Sequence, residues 1–288
     1  MQHRARPLAL RWLSIGVGLL ASACFGTPTP LAPGRSGSVG LPHHGVQTGA
    51  VELPESGPGF VRFRKHGEYH WGQPHLVRAV QAAALQVHEA MPHGAPLLVG
   101  DLSARHGGKI PRHASHRSGR DVDLLWYVTT EAGAPIENPG FVLMGPDGLA
   151  RVEGANEYVS IDVPRQWLLI KALLTSPDVD VQWMFVSTDI EAILVNYALA
   201  RGDDPEVIWR AQNVMVQPRG SLPHDDHLHL RVACSPEATL EGCEGGGPRW
   251  SWLPETPTLP SMPESALSVL VGDDPPTDLL SLAEAEPE

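Results

Sequence analysis

Two short segments, far apart in the chain, each carry metal-binding side chains at alternate positions: Asp121-Val122-Asp123 and His227-Leu228-His229. Their surroundings, DVDLLWYV (121–128) and HLHLRVA (227–233), read as β-strands by alternation and branched content. On a strand, residues i and i+2 project from the same face, roughly 7 Å apart at a ~3.3 Å rise per residue. Asp121 and Asp123 therefore share one face of their strand, and His227 and His229 one face of theirs. His116 precedes Asp123 by seven residues, through Gly119, and a turn there can bring both onto one ion. Imidazole and carboxylate are the usual ligands of catalytic Zn²⁺, which takes three protein ligands and leaves a fourth position to water. His113 and His224 complete two clusters, HASHRSGRDVD (113–123) and HDDHLH (224–229). Spacing alone leaves open which imidazole binds a metal and which stands beside it.

Around these strands the apolar pattern is mixed. Leu76, Val80, Ala83, Ala84, Val87 and Met91 recur at helical spacing and predict a helix over about 73–91, with Pro74 in its first turn. A second helix is expected from about Pro164, carrying WLLIKALL. A third starts at Thr188, where Thr188 and Glu191 fit a capping box, and ends near Gly202. VQWMFVS (181–187) reads as a buried strand. There is no clean βαβ repeat and no dinucleotide-binding glycine loop. The expected fold is α+β, a mostly antiparallel central sheet with flanking helices and the metal site on the sheet.

The ends differ from the middle. Arg4, Arg6 and Arg11 precede a 12-residue apolar run, Trp12–Ala23, too short to span a bilayer and suited to an export signal. The run ends in Leu20-Ala-Ser-Ala-Cys24, which resembles a lipoprotein cleavage box. Residues 1–24 are thus expected to be a signal peptide, of lipoprotein type with Cys24 lipidated, the alternative being an ordinary signal peptide with an incidental Cys. Residues 25–59, rich in Pro, Gly, Ser and Thr, read as a flexible linker, and residues 60–250 as the folded domain. The last segment, 251–288, holds seven prolines, eight acidic residues and no Lys or Arg, and reads as a disordered acidic tail. Export permits a disulfide, and Cys234 and Cys243 are the pair left once Cys24 is set aside.

Other chemistries fail on the residues. The net charge of −12 argues against a nucleic-acid partner. There is no G-x-S-x-G. Residues three before Lys65, Lys109 and Lys171 are Arg62, His106 and Leu168, so no S-x-x-K exists. After His88-Glu89 the next histidine is His93, out of register for H-E-x-x-H. His66, His70, His75 and His106 read as structural or surface residues.

H-x₆-D followed far downstream by H-x-H resembles the metallopeptidase superfamily that includes lysostaphin, D-Ala-D-Ala carboxypeptidases and the hedgehog signalling domain. The longer strings GDLSARHGG (100–108), HASHRSGRDVDLLW (113–126) and HDDHLHLRVAC (224–234), with WGQPH (71–75), are similar to the penicillin-insensitive murein endopeptidase family. The likeness covers roughly 60–250. It implies zinc on His116, Asp123 and His229, and His227 as the base that takes a proton from water. It implies that His113 and His224 line the site and that Asp121 stands behind the ligands. Some members are described with a second zinc that uses the residue matching His113. The stretch after 140 departs from the family pattern, so one zinc per chain is expected and a second is left open.

The implied activity is hydrolysis of D-alanyl–meso-diaminopimelyl (D,D) crosslinks in peptidoglycan, insensitive to penicillin. The alternatives are a D,D-carboxypeptidase and a non-catalytic, zinc-containing peptidoglycan-binding lipoprotein. The expected partners are crosslinked wall peptides. Membrane contact is expected only through the lipid anchor, with the protein in the periplasm. Phe25, rather than Asp, after Cys24 points to the outer membrane. Oligomeric state is not set by the sequence.

Overall fold

The computed structural model describes residues 37–154 and 157–255. The expected signal segment with Cys24 and the expected tail from residue 256 onward lie outside the described residues.

A seven-stranded sheet carries the two motif strands at its centre. Its order is β14 (Met215–Val216), β13 (Val181–Phe185), β15 (His227–Val232), β8 (Asp121–Leu125), β7 (Leu97–Val99), β5 (Phe60–Arg62) and β4 (Ser56–Gly57). The pairs β13–β15, β15–β8, β8–β7 and β4–β5 are antiparallel. The pairs β13–β14 and β5–β7 are parallel. Four of the six pairings are thus antiparallel, as expected, but two are parallel, so the sheet is mixed. The cause is connectivity. Along the chain, helix α1 (Pro74–Ala90) connects β5 to β7, and helices α3 (Thr188–Arg201) and α4 (Pro205–Val214) connect β13 to β14. A helical crossover returns the chain to run parallel to the strand it left.

Helix α1 buries Leu76, Val80, Ala83, Ala84 and Val87 of the expected stripe, and Val77 and Ala79 with them, while Met91 falls at its C-cap. Helix α2 (Val163–Leu174) packs beside it, capped by Asp162, whose side chain accepts from the Arg165 amide. In α3 the expected capping box does not form. Thr188 is already helical, and Ser187 occupies the cap position without a side-chain bond. Helix α4 was not anticipated, although Asp204-Pro205 is a start signal: the Asp204 side chain accepts from the Glu206 amide. A second, four-stranded antiparallel sheet runs β10 (Pro135–Ile136), β9 (Val128–Thr130), β12 (Tyr158–Ile161) and β11 (Leu149–Arg151).

The expected linker over 25–59 is corrected by the structure from residue 37 onward. Strands β1 (Gly37–Leu41) and β2 (His44–Thr48) form a hairpin. Strand β3 (Val51–Glu52) pairs with β6 (Trp71–Gly72), and β4 joins the main sheet. Leu53 is fully buried, and the Gly40 amide donates to the Gly242 carbonyl at 2.8 Å. These strands are short and glycine-bearing, so they carry little readable periodicity. At the other end the compact unit reaches Leu253, since Trp250 and Trp252 pack against the core. Cys234 and Cys243 are joined in a disulfide with α5 (Pro236–Leu240) inside the loop.

Candidate metal centre

Register on the central ladder places the chemistry. His229 lies opposite Asp123, Arg231 opposite Asp121, and His227 opposite Leu125. One sheet face thus carries Asp121, Asp123, His227, His229 and Arg231.

His116 arrives from the loop before β8 with a left-handed backbone, φ +63°. Its amide donates to Asp121 Oδ2 at 2.9 Å, and its Nδ1 lies 2.6 Å from the Leu102 carbonyl. A carbonyl only accepts, so Nδ1 carries the proton and Nε2 keeps its lone pair. The turn that follows needs Gly119: at φ +75° a Cβ there would fall 1.7 Å from Gln47 Oε1. His229 is oriented the opposite way. Its Nε2 faces Asp121 Oδ1 at 3.2 Å and donates to it, which leaves Nδ1 with the lone pair.

Three donor atoms then face one another. His116 Nε2 and Asp123 Oδ1 are 3.2 Å apart, His229 Nδ1 and Asp123 Oδ1 3.2 Å, and His116 Nε2 and His229 Nδ1 3.3 Å. Ligands held at about 2.0–2.1 Å around a tetrahedral zinc stand about 3.3 Å apart. Neither Asp123 oxygen has a hydrogen-bond partner, although the side chain is fully buried. A buried carboxylate left so is costly unless a cation is its counterpart. Burial pushes the Asp123 carboxyl up, but His116 and His227 beside it outweigh this and hold it well below the usual carboxylate range. Asp121 is likewise held low, with burial overcome by Arg231 and His229.

His227 stands beside this triangle. Its Nε2 is 3.2 Å from Asp123 Oδ1, and its Nδ1 is 2.6 Å from Asp226 Oδ1. The Phe141 ring stands nearly perpendicular to its ring, with centroids 5.4 Å apart. Burial pushes the imidazole pKa down, but Asp123 and Asp226 overcome it and raise it to about 10. The Asp123 share of that support comes from the carboxylate that fronts the donor triangle, and a cation held there would cancel it.

His113 bridges outward, with Nε2 3.0 Å from Asp101 Oδ2 and Nδ1 3.7 Å from Asp123 Oδ2. His224 is pushed down to about 4, by burial first and then by His229 and His227, so it is neutral at pH 7. Its Nδ1 is buried without a partner.

All six expected site residues, His113, His116, Asp123, His224, His227 and His229, converge. They form two groups, His113–His116–Asp123 and His224–His227–His229, each with potential ligand atoms within 4.8 Å of one another. The triangle takes members from both. Sequence reasoning missed Asp101, Asp226, Arg231 and Phe141. Asp226 had a signal in its place next to His227 in HDDHLH, and Asp101 and Arg231 lie inside the strings GDLSARHGG and HDDHLHLRVAC that carry the family resemblance. A cavity of about 590 Å³ elsewhere is lined by His75, Arg78, Arg120 and the disulfide, and by none of the six. No helix among the described residues is long and apolar enough to cross a membrane.

A mixed sheet and the loop before β8, together presenting two imidazoles and a carboxylate at tetrahedral spacing with a further histidine alongside, define a candidate single-metal hydrolase centre. The comparisons with known proteins support a hydrolase. The model of the penicillin-insensitive murein endopeptidase family matches residues 38–248. A protein of that name from Klebsiella pneumoniae is 30% identical over 247 residues, covering 84% of this chain and 81% of the relative. One from Salmonella paratyphi B is 27% identical over 288 residues, covering 91% and 95%. The chain belongs to the penicillin-insensitive murein endopeptidase family.

Proposed function

We propose that this protein is a zinc endopeptidase that hydrolyses D-alanyl–diaminopimelyl crosslinks in peptidoglycan. The observation that carries the reading is the donor triangle of His116 Nε2, Asp123 Oδ1 and His229 Nδ1, with His227 Nε2 3.2 Å from the same carboxylate oxygen. Zinc in such a site supplies Lewis acidity, which activates water and polarises a carbonyl. The chain's own groups do the rest. Nε2 of His227 takes the proton of the attacking water and passes it to the leaving amine. Asp226 holds the opposite ring nitrogen, so the ring keeps one orientation. His224 lines the site and donates a hydrogen bond to the oxygen on which charge develops, while His113, its Nε2 proton given to Asp101, orients the groups beside it. Asp121 holds His229 in the tautomer that frees Nδ1. The names of the relatives support peptidoglycan as the substrate. No serine is acylated in this route, so penicillin leaves the activity intact.

The protein acts in the periplasm in this reading, held at the outer membrane by lipid on Cys24. Cys24→Ser should release it into the soluble periplasmic fraction. The enzymatic reading is tested by digesting purified crosslinked muropeptide dimers with and without a zinc chelator, read by mass. The expected result is monomers that accumulate only without chelator, in the presence or absence of penicillin. Release of terminal D-alanine with dimers intact would show a carboxypeptidase. Binding of peptidoglycan with no cleavage would show a binding protein.

A further inference from the structure

Among the described residues, Arg112 and His116 are the only non-glycine residues with a left-handed backbone, at φ +67° and +63°. An L-residue keeps that conformation only where its surroundings impose it, and such positions gather at functional sites. His116 belongs to the donor triangle. Arg112 immediately precedes His113, and its side chain is 63% exposed.

The guanidinium has an unusual neighbourhood. Arg112 Nη2 lies 3.9 Å from Asp101 Oδ2. The same oxygen is 3.1 Å from Arg64 Nη1 and 3.0 Å from His113 Nε2. Arg64 is held firmly, with its guanidinium 5.8 Å from the Phe63 ring centre and 6.0 Å from that of Phe141. Two guanidiniums therefore share one carboxylate. One positive charge is left over, a single imidazole away from Asp123.

We propose that Arg112, backed by Arg64, recognises a substrate carboxylate next to the scissile bond. In the crosslink that carboxylate is the free one on the diaminopimelyl carbon bonded to the scissile nitrogen. It lies a few bonds from the carbonyl under attack, within reach of a long side chain at the rim. The inference rests on the endopeptidase reading and adds its specificity determinant. Arg64 is committed to Asp101 and the two phenylalanines, so Arg112 is the arm that moves to the ligand.

The test uses two synthetic crosslinked dimers that differ only in whether that carboxylate is free or amidated. Wild-type protein should show a KM for the amide roughly fivefold above that for the acid, the scale of an exposed ion pair. In Arg112→Ala the ratio should fall to about one, and Arg112→Lys should restore part of it. A merely structural role would shift both dimers alike. Raising salt should shrink the wild-type ratio. Arg112→Gly, which suits φ +67°, should lose the preference without loss of thermal stability. Binding of both dimers by calorimetry runs in parallel. If wild type cleaves neither dimer, the endopeptidase reading falls and calorimetry decides: equal affinities overturn the role of Arg112, and an acid preference lost in Arg112→Ala upholds it. If wild type cleaves both and Arg112→Ala keeps the ratio, the role of Arg112 is overturned and the endopeptidase reading stands.

Discussion

Asp121 and Arg231 face each other across the central ladder as a buried ion pair, with Arg231 Nε 2.6 Å from Asp121 Oδ1. The same carboxylate receives the proton of His229 Nε2 and the amide of His116. One side chain therefore fixes two of the three donor atoms, and Arg231 keeps that side chain charged. Both partners are nearly solvent-free, so removing one leaves an uncompensated buried charge.

Asp121→Asn should destabilise the fold by roughly 3 kcal/mol, in the range for breaking one side of a buried pair. It should also weaken metal affinity by about 10- to 100-fold, as loss of a ligand's orienting partner does. Denaturant unfolding of the metal-free protein measures the first and a zinc titration the second. A variant as stable as wild type would show that the pair does not hold the ladder.

His116→Ala, Asp123→Ala and His229→Ala should each abolish stoichiometric zinc, because a three-ligand site has none to spare. Circular dichroism should show the fold retained, since the core is built from the helices and sheet and not from the metal. Saturating zinc should raise the unfolding free energy of wild type by about 4 kcal/mol at a thousandfold excess over Kd, and leave the three variants unmoved. Full zinc occupancy by elemental analysis in any one of them would remove that residue from the ligand set.

Much of this site was legible in the sequence because its residues sit in two contiguous strings, and the strand period assigns them faces. Helix α1 was legible because Leu76, Val80, Ala83, Ala84 and Val87 repeat at its own spacing. What stayed hidden depends on distant partners. Asp101 lies inside GDLSARHGG, but its meaning comes from Arg64, Arg112 and His113 around one oxygen. Arg231 follows His229 at i+2, but only the register shows that it meets Asp121. The first strands escaped because two to five residues, several of them glycine, cannot show a period. The parallel flanks of the sheet follow from which strands the helices join, and composition does not record that.

Acid should destabilise the protein through histidines away from the metal centre. His70 is buried, and its pKa is lowered by burial first and then by Arg62, whose Nη1 lies 3.1 Å from its Nδ1. His75 is lowered by burial and by Arg78 and Arg120. In the unfolded chain both imidazoles take up a proton near pH 6.5. The folded protein resists protonation to lower pH, so the unfolded state binds more protons there. Stability should therefore be complete above about pH 6.5 and decline as pH falls below it. Urea midpoints between pH 7.5 and pH 5 should show the decline, and a His70→Asn His75→Asn variant should show a shallower one. An equal slope in the variant would assign the acid sensitivity to other groups.

The last prediction separates catalysis from mere metal binding. His227 is on the same strand face as His229, and its Nε2 touches Asp123 Oδ1, yet the triangle is complete without it. His227→Ala should therefore keep stoichiometric zinc and the wild-type circular dichroism spectrum. Turnover of a crosslinked dimer should fall by roughly 10²- to 10⁴-fold, the usual worth of a positioned base. The loss should lie mainly in kcat, because the proton moves only in the transition state. Asp226→Asn should cost less, since it loosens the ring and leaves Nε2 in place. Steady-state kinetics on the metal-loaded proteins give the answer. A His227→Ala variant as fast as wild type would move the base to His224 or His113. Loss of zinc from the same variant would make His227 a fourth ligand.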